Sequence, residues 1–154
     1  MSDPLRASLY AFNVIQKKRK KVEGAPKPAL GRKVARVGVV GAGLMASQLA
    51  LLLLRNLKCP VVMTDIDQER ADKGVAWVKN ELAKLVEKKR MSAESAGRLS
   101  LLISGSSDQQ VFAGCDFVIE AIFEELSLKQ ELFKKLEKIV GAECVLATNT
   151  SSLS

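Results

Sequence analysis

The chain has 154 residues, 47% of them hydrophobic and 27% charged, which is enough for one substantial core and excludes wholesale disorder. It contains no histidine, which excludes the commonest general base, Ser/His and Cys/His nucleophile pairs, and every zinc site that uses histidine. The net charge of +7 lies entirely within residues 1–33, which hold nine basic and two acidic residues. We interpret this basic stretch as a solvated tail and expect no nucleic-acid partner, because no binding motif accompanies it.

Residues 1–33 form a segment of their own. Asp3 and Pro4 are typical of a helix start, with an N-cap followed by proline at the first helical position. Apolar residues then recur at helical spacing along one stripe, namely Leu5, Leu9, Phe12 and Ile15. A Pro/Gly-rich stretch follows at 24–31. We predict an amphipathic helix and a basic linker, ahead of a separate domain over residues 34–154.

From residue 34 onwards, short apolar runs alternate with longer amphipathic stretches, the pattern of βαβ units around a parallel sheet. The predicted strands are 36–40, 61–64, 101–104, 117–121 and 145–148, and the predicted helices are 44–56, 68–90, 92–97 and 128–140. In the last helix, Leu128, Leu132 and Leu136 lie on the predicted apolar face and Lys129 on the polar face. The fold class is therefore α/β, a Rossmann-like doubly wound and mainly parallel sheet.

Cysteine usage and hydropathy indicate the surroundings of the protein. Cys59, Cys115 and Cys144 are too few and too scattered for a disulfide framework. The apolar run at 49–54 is far shorter than the roughly 18 residues of a membrane span, and the N-terminus is unlike a secretory signal. We expect a cytoplasmic protein, or one of another reducing compartment, with no membrane span.

The first strand of this domain runs into a glycine-rich turn and then an apolar helix. Gly41, Gly43 and Ala46 match the pattern GxGxxA in its required strand-turn-helix context. The first glycine permits the tight turn, the second lets backbone N–H groups approach a pyrophosphate, and the small third residue keeps the helix close to the sheet. The positive end of the helix dipole favours the same anion.

An acidic residue supports this interpretation. Asp65 ends the second strand, 24 positions after Gly41, where a dinucleotide fingerprint has an acid about 20 residues on. Its carboxylate would accept hydrogen bonds from the adenosine ribose and repel a 2′-phosphate, which favours NAD over NADP. Glu124 and the polar cluster 149–152 also follow strand ends, where ligands of open α/β sheets bind.

Four ordered motifs make the domain recognisable. They are Gly-Ala-Gly-Leu-Met (41–45), Val-Val-Met-Thr-Asp (61–65), Val-Ile-Glu-Ala-Ile-Phe-Glu (118–124) and Ala-Thr-Asn-Thr-Ser-Ser-Leu (147–153). Together they resemble the NAD-binding domain of the L-3-hydroxyacyl-CoA dehydrogenases of fatty-acid β-oxidation. Residues 5–12 are similar to the connector that follows the enoyl-CoA hydratase module in multifunctional β-oxidation proteins. The resemblance implies NAD as cofactor, an acyl-CoA substrate for the parent protein, and a parent that can form a homo-oligomer.

The resemblance also implies roles for individual residues. The pyrophosphate would be bound by the loop residues Gly41, Ala42, Gly43, Leu44, Met45 and Ala46, and the adenosine ribose by Asp65. The nicotinamide ribose would contact Ile122, Phe123, Glu124 and Lys129. Ser151 would lie beside the nicotinamide and the substrate oxygen, as both a cofactor contact and a catalytic residue. Ala46 departs from the family, which usually has glycine there.

The family's catalytic histidine lies downstream of the motif that contains Ser151, and this chain has no histidine. We therefore expect a fragment that ends before that histidine and before the C-terminal helical domain, and that binds NAD without turnover. Three alternatives remain open: a β-hydroxyacid-type dehydrogenase domain, a methyltransferase whose acid binds the ribose of S-adenosylmethionine, and a non-catalytic nucleotide-binding module. No metal site is predicted.

Overall fold

The computed structural model describes residues 3–20 and 31–150. The chain divides into two compact units, Met1–Lys33 and Val34–Ser154. The first unit contains helix α1 (Asp3–Lys20), which begins at the predicted N-cap, one residue before the predicted first helical position. Most of the predicted linker lies outside the described residues. Within the described ranges, no helix combines the length and the hydropathy that crossing a membrane requires.

The second unit is built on a parallel sheet of five strands. They are β1 (Val37–Val40), β2 (Val61–Thr64), β3 (Ile103–Ser106), β4 (Phe117–Glu120) and β5 (Val145–Thr148). Their order across the sheet is β3-β2-β1-β4-β5, and every neighbouring pair is parallel. The predicted α/β class and parallel sheet are confirmed.

Helices cover both faces of this sheet. Successive strand residues point to opposite sides, so neighbouring residues of one strand pack against different helices. The helices are α2 (Leu44–Leu57), α3 (Gln68–Glu87), α4 (Ala93–Leu101) and α5 (Leu126–Ile139), with a short 3₁₀ helix at Gln109–Gly114. Val37, Val39 and Met63 belong to one buried cluster with residues of α2, α3 and α4. Val40, Val62 and Val118 belong to the other, with residues of α5 and the 3₁₀ helix. The sheet is therefore doubly wound, as predicted.

Phe112 of the 3₁₀ helix packs directly on the backbone of β1 at Gly38. A Cβ at Gly38 would lie 2.5 Å from a ring carbon of Phe112 and 3.1 Å from Val118 Cγ2. Phe112 is fully buried, so its ring has no free space into which to move. The absence of a side chain at Gly38 is therefore what lets this aromatic ring approach the sheet.

Replacing Gly38 with alanine is expected to lower the free energy of unfolding by about 2 kcal/mol, because the added methyl overpacks the core against Phe112. Urea denaturation followed by circular dichroism measures the change. Gly141→Ala is the matched control, since nothing lies within 4 Å of a Cβ at Gly141. Equal unfolding midpoints for the two variants would contradict the packing argument.

The segment that enters β1 is held by a carboxylate that lies 80 residues further along the chain. Asp116 Oδ2 accepts hydrogen bonds from the backbone N–H groups of Ala35 at 2.7 Å and Arg36 at 2.9 Å. Asp116 also donates its own N–H to Arg36 O and accepts from Val145 N, each at 2.9 Å. One residue before β4 thus fixes the starts of β1 and β5.

Some element bounds differ from prediction around β3. The predicted strand began at residue 101, whereas Leu101 is the last residue of α4 and is 87% exposed. The apolar pair at 101–102 resembles a strand locally, but α4 continues four residues past its predicted end at 97, and the strand lies at 103–106. Helix α3 ends at Glu87, three residues early, and α5 starts at Leu126, two residues early.

Candidate functional site

The carboxyl ends of the strands form a crevice at the point where the strand order reverses. The chain moves outward from β1 through β2 to β3, and then returns to place β4 on the other side of β1. In open α/β sheets, ligands bind outside the carboxyl ends of the strands at such a switch point. The predicted site residues before 151 follow the ends of β1, β2 and β4, so the fold brings them to this edge.

The glycine loop after β1 is shaped by close backbone approach. Gly41 has a φ of +107°, a conformation that L side chains rarely adopt. A Cβ there would lie 2.8 Å from the backbone oxygen of Ala121, at the exit of β4. The Gly41 N–H donates to Thr64 O at 2.7 Å, at the end of β2. Glycine is therefore required at this position by both conformation and space.

The N-terminus of α2 has the features of an anion site. Gly43 is the N-cap, with no capping side-chain hydrogen bond and no acidic residue in the first turn, so the first N–H groups of the helix are available to a ligand. Nothing lies within 4 Å of a Cβ at Gly43, which leaves open space for a group the size of a phosphate. Leu44 and Met45 are exposed, while Ala46 is fully buried against the sheet.

Asp65 follows β2 and reaches back to the glycine loop. Its Oδ2 accepts a hydrogen bond from Ala42 N at 2.7 Å, and its Oδ1 accepts from Ile66 N at 2.8 Å. A carboxylate has about four lone-pair positions, so it keeps acceptor capacity for the hydroxyls of a ribose. The side chain thus fixes the loop and borders the crevice at the same time.

The connection between β4 and α5 carries the next three predicted residues. Ile122 is half-buried, Glu124 is exposed, and Phe123 is 85% exposed. The N–H of Ile122 donates to Glu120 Oε1 at 2.7 Å. Ser151 lies outside the described residues, but the backbone leading towards it is held by hydrogen bonds from Asn149 N to Glu120 O at 2.9 Å and from Thr150 N to Thr148 Oγ1 at 3.1 Å.

The polar-face prediction for Lys129 is wrong. Lys129 is 6% exposed, and its Nζ lies 2.7 Å from Glu120 Oε1. It occupies the buried face of α5 with Leu132 and Leu136, whereas Leu128, predicted on that face, is exposed. The ammonium can be buried because a carboxylate meets it there. Lys129 lies in the first turn of α5, which follows the connection from the carboxyl end of β4.

Glu120 is the residue that the sequence interpretation missed. It is fully buried at the end of β4, and its second oxygen accepts a hydrogen bond from Thr148 Oγ1 at 2.6 Å. The available signal was an acid at the end of an otherwise apolar strand, since a buried carboxylate needs a cation or several donors. No pattern in the sequence indicates which cation that is.

The cysteines lie away from the crevice. Cys59, Cys115 and Cys144 each precede a strand, so they belong to the amino edge of the sheet. Burial raises the pKa of the Cys115 thiol to about 11, although the Arg36 guanidinium acts in the opposite direction. Burial also raises the pKa of Cys59. Both remain neutral thiols near neutral pH, so neither supplies a thiolate nucleophile.

A parallel sheet with a glycine loop after β1, a free helix N-terminus and an acid after β2 defines a dinucleotide-binding domain. The model of one family, described as 3-hydroxyacyl-CoA dehydrogenase, NAD binding domain, matches residues 36–154. The chain belongs to this family, and the NAD cofactor predicted from the sequence is confirmed. The match favours this family over the β-hydroxyacid and methyltransferase alternatives.

Similar proteins agree with this assignment. The chain is 38% identical over 122 residues to the peroxisomal fatty acid beta-oxidation multifunctional protein MFP2 of Arabidopsis thaliana, a match that covers 79% of this chain and 17% of that protein. It is 35% identical over 155 residues to the multifunctional protein AIM1 of the same plant, covering 99% and 21%. The chain thus spans about a fifth of the length of these relatives.

A solved structure gives the same answer for the fold. The (S)-3-hydroxybutyryl-CoA dehydrogenase PaaH1 of Ralstonia eutropha is 35% identical to this chain, with a TM-score of 0.74. The match covers 79% of this chain and 42% of that one. The Rossmann-like arrangement predicted from the sequence is therefore confirmed by comparison as well as by topology.

Helix α3 packs against the glycine loop at Gly74, where a Cβ would lie 2.8 Å from Ala42 Cβ and 3.0 Å from Ala42 O. Gly74→Ala is expected to weaken NADH binding about tenfold, because the methyl displaces the loop even though alanine favours a helix by about 1 kcal/mol. Fluorescence titration with NADH measures this. Gly97→Ala in α4 is the helical control, since a Cβ there meets nothing within 4 Å. Wild-type affinity in Gly74→Ala would show that the loop adapts.

Proposed function

We propose that the chain is the NAD-binding part of a protein that oxidises L-3-hydroxyacyl-CoA to 3-ketoacyl-CoA. The observation that carries the proposal is the open glycine loop at the N-terminus of α2, with the Asp65 carboxylate 2.7 Å from the Ala42 amide. An uncapped helix N-terminus suits the pyrophosphate of NAD, and an acid at the tip of β2 suits its adenosine ribose. Family membership supplies the reaction class.

In this proposal, the loop after β1 holds the pyrophosphate and Asp65 holds the adenosine ribose. Open space surrounds the Cβ position of Gly43 at the helix N-terminus, and exposed Leu44 and Met45 flank it. Ala46 is buried between α2 and the sheet, where its small side chain keeps α2 close to the sheet. Charge repulsion from Asp65 disfavours the extra phosphate of NADP.

The nicotinamide half is assigned to the far side of the crevice. Ile122, Phe123 and Glu124 would line the nicotinamide ribose, with Lys129 at the start of α5 beside them. Ser151 would lie beside the nicotinamide and the substrate hydroxyl. Phe123 is 85% exposed, which leaves its ring accessible to the nicotinamide ribose in this proposal.

Bound NAD would supply the hydride acceptor of the reaction. The residues of this chain would orient the dinucleotide and leave one face of the nicotinamide open to the substrate. The reaction also needs a base for the hydroxyl proton, and the chain contains no histidine. We assign that base to another part of the parent protein and expect the chain alone to bind NAD without turnover.

Calorimetric titration tests the proposal. The chain is expected to bind NADH, to bind NADPH more weakly, and to release no heat with S-adenosylmethionine. Tight binding of S-adenosylmethionine without NADH binding would overturn the proposal. A second assay mixes the chain with 3-hydroxybutyryl-CoA and NAD and follows absorbance at the NADH band. Turnover typical of a complete enzyme would contradict the assignment of the base.

We further propose that residues 1–33 connect a preceding enoyl-CoA hydratase module to the NAD-binding domain of residues 34–154, in a parent that acts on acyl-CoA. The relatives named multifunctional β-oxidation proteins support this arrangement. The compartment is proposed to be the cytoplasm or, as the names of these relatives suggest, the peroxisome. Imaging of the fluorescently tagged parent protein distinguishes the two.

A further inference from the structure

A buried ion pair lies beneath the carboxyl edge of the sheet. Glu120 is 0% exposed and Lys129 is 6% exposed, and the distance from Nζ to Oε1 is 2.7 Å. Four other salt bridges connect neighbouring turns at α3 or within α4 through largely solvent-exposed side chains. This pair instead joins β4 to α5.

The Glu120 carboxylate joins three segments of the proposed cofactor site. Its Oε1 accepts from both Lys129 Nζ and Ile122 N, each at 2.7 Å. Its Oε2 accepts from Thr148 Oγ1 at 2.6 Å, and Thr148 in turn accepts from Thr150 N. One side chain therefore fixes the start of the β4–α5 connection, the first turns of α5 and the chain that leaves β5.

Stability alone does not account for charges at this place. Removing two ions from water costs several kcal/mol each, and apolar side chains of similar volume often replace buried ion pairs without loss of stability. A sheet-to-helix contact could therefore be made by leucine and valine, as it is one turn further along α5 at Leu132. The carboxylate does what an apolar group cannot, because it gives fixed directions to an N–H, an O–H and an ammonium.

Lys129 keeps donors for a ligand while it is held. Its ammonium has three N–H groups, and Glu120 takes one of them. Lys129 also lines, with Thr148 and Thr150, an open cavity of about 450 Å³ beside α5. The Lys129 side chain thus borders an open cavity, although most of it is buried.

We propose that Glu120 is a positioning residue for the nicotinamide half of the dinucleotide, acting through Lys129 and the connection that begins at Ile122. The inference rests on the proposed function, since it takes the crevice to be an NAD site. Glu120 itself touches no cofactor. It sets where the Lys129 ammonium and the residues 122–124 stand when the nicotinamide ribose binds.

A comparison of NADH binding with ADP binding separates this positioning role from a merely structural one. ADP carries the adenosine and diphosphate that are assigned to the glycine loop and Asp65, and it lacks the nicotinamide half. In E120Q, we expect NADH affinity to fall about tenfold, while ADP affinity stays at the wild-type value. K129M should show the same selective loss. In E120Q/K129M, the loss should equal that of either single variant, because residues that act as a unit are not additive.

Two control variants make the same chemical changes, Glu to Gln and Lys to Met, at other positions of α5. E131Q and K135M alter exposed residues of α5 and are expected to bind both ligands as the wild type does. Titration calorimetry gives both affinities, and circular dichroism checks folding. If E120Q fails to fold because Lys129 is left unpaired, E120Q/K129M removes both charges and carries the test.

The outcomes are distinct. Equal losses of NADH and ADP affinity in folded E120Q or E120Q/K129M would overturn the positioning role and indicate general damage to the domain. Unchanged NADH affinity would overturn it as well. A wild-type chain that does not bind NADH would overturn the proposed function itself, whereas wild-type NADH binding that survives E120Q refutes only the role of Glu120.

Discussion

Replacing Gly41 with alanine is expected to reduce NADH affinity about a hundredfold, equivalent to about 2.7 kcal/mol of binding free energy. The residue has a φ of +107°, and its Cβ would lie 2.8 Å from a backbone oxygen of Ala121. A backbone carbonyl at the end of a central strand cannot turn aside as a flexible side chain does. The loop must therefore shift away from β4 and carry its N–H groups off the pyrophosphate position.

The same substitution is expected to lower the free energy of unfolding by about 2 kcal/mol, because the left-handed region is strained for alanine. Urea denaturation and NADH calorimetry measure the two effects. Gly43→Ala is the informative comparison, since a Cβ at Gly43 meets nothing within 4 Å. That variant should keep its stability and lose affinity only, because its methyl fills the phosphate space. Wild-type NADH binding by Gly41→Ala would refute the role of the loop.

Asp65→Asn is expected to weaken NADH binding about tenfold while it narrows the preference for NADH over NADPH. The change keeps the shape of the side chain and removes its charge, so the hydrogen bond with Ala42 N loses its charge-assisted character. The adenosine ribose loses an ionised acceptor, and a 2′-phosphate is no longer repelled. Calorimetric titration of both nucleotides gives the ratio directly.

Asp72→Asn is the matched control for this prediction. Asp72 is exposed on α3, where it accepts a hydrogen bond from Gln68 Nε2 at 2.8 Å. The Asp72→Asn substitution removes one negative charge and should leave the ratio of NADH to NADPH affinity unchanged. An equal shift of that ratio in both variants would show that overall charge, and not the position of Asp65, sets the preference.

Local patterns predicted much of the fold. The bounds of β2 and β5 follow from short apolar runs, and the start of α2 follows from the glycine loop. The junction of α4 and β3 was misplaced because Leu101 and Leu102 suit either element, and helix packing decided between them. The 3₁₀ helix Gln109–Gly114 carries too few residues to show a period.

The candidate site was likewise predictable in one part and not in the other. The placement of Gly41, Gly43 and Asp65 at the carboxyl edge of the sheet could be predicted, because the fingerprint spans one βαβ unit from the end of β1 to the end of β2. The network of Glu120 could not, since Lys129 is nine residues away and Thr148 is 28 residues away. Lysine in an amphipathic helix ordinarily lies on the solvent-exposed face, and only the tertiary fold places a carboxylate next to Lys129.

The two hydrogen bonds that Asp116 accepts from Ala35 and Arg36 also set a limit on shortening the protein. A crystallographer who trims the chain to the first strand residue, Val37, would delete both donors and leave that carboxylate at the protein surface without them. Trimming at Val34 removes the basic segment and keeps the attachment. The useful boundary for an excised domain is therefore three residues upstream of the sheet.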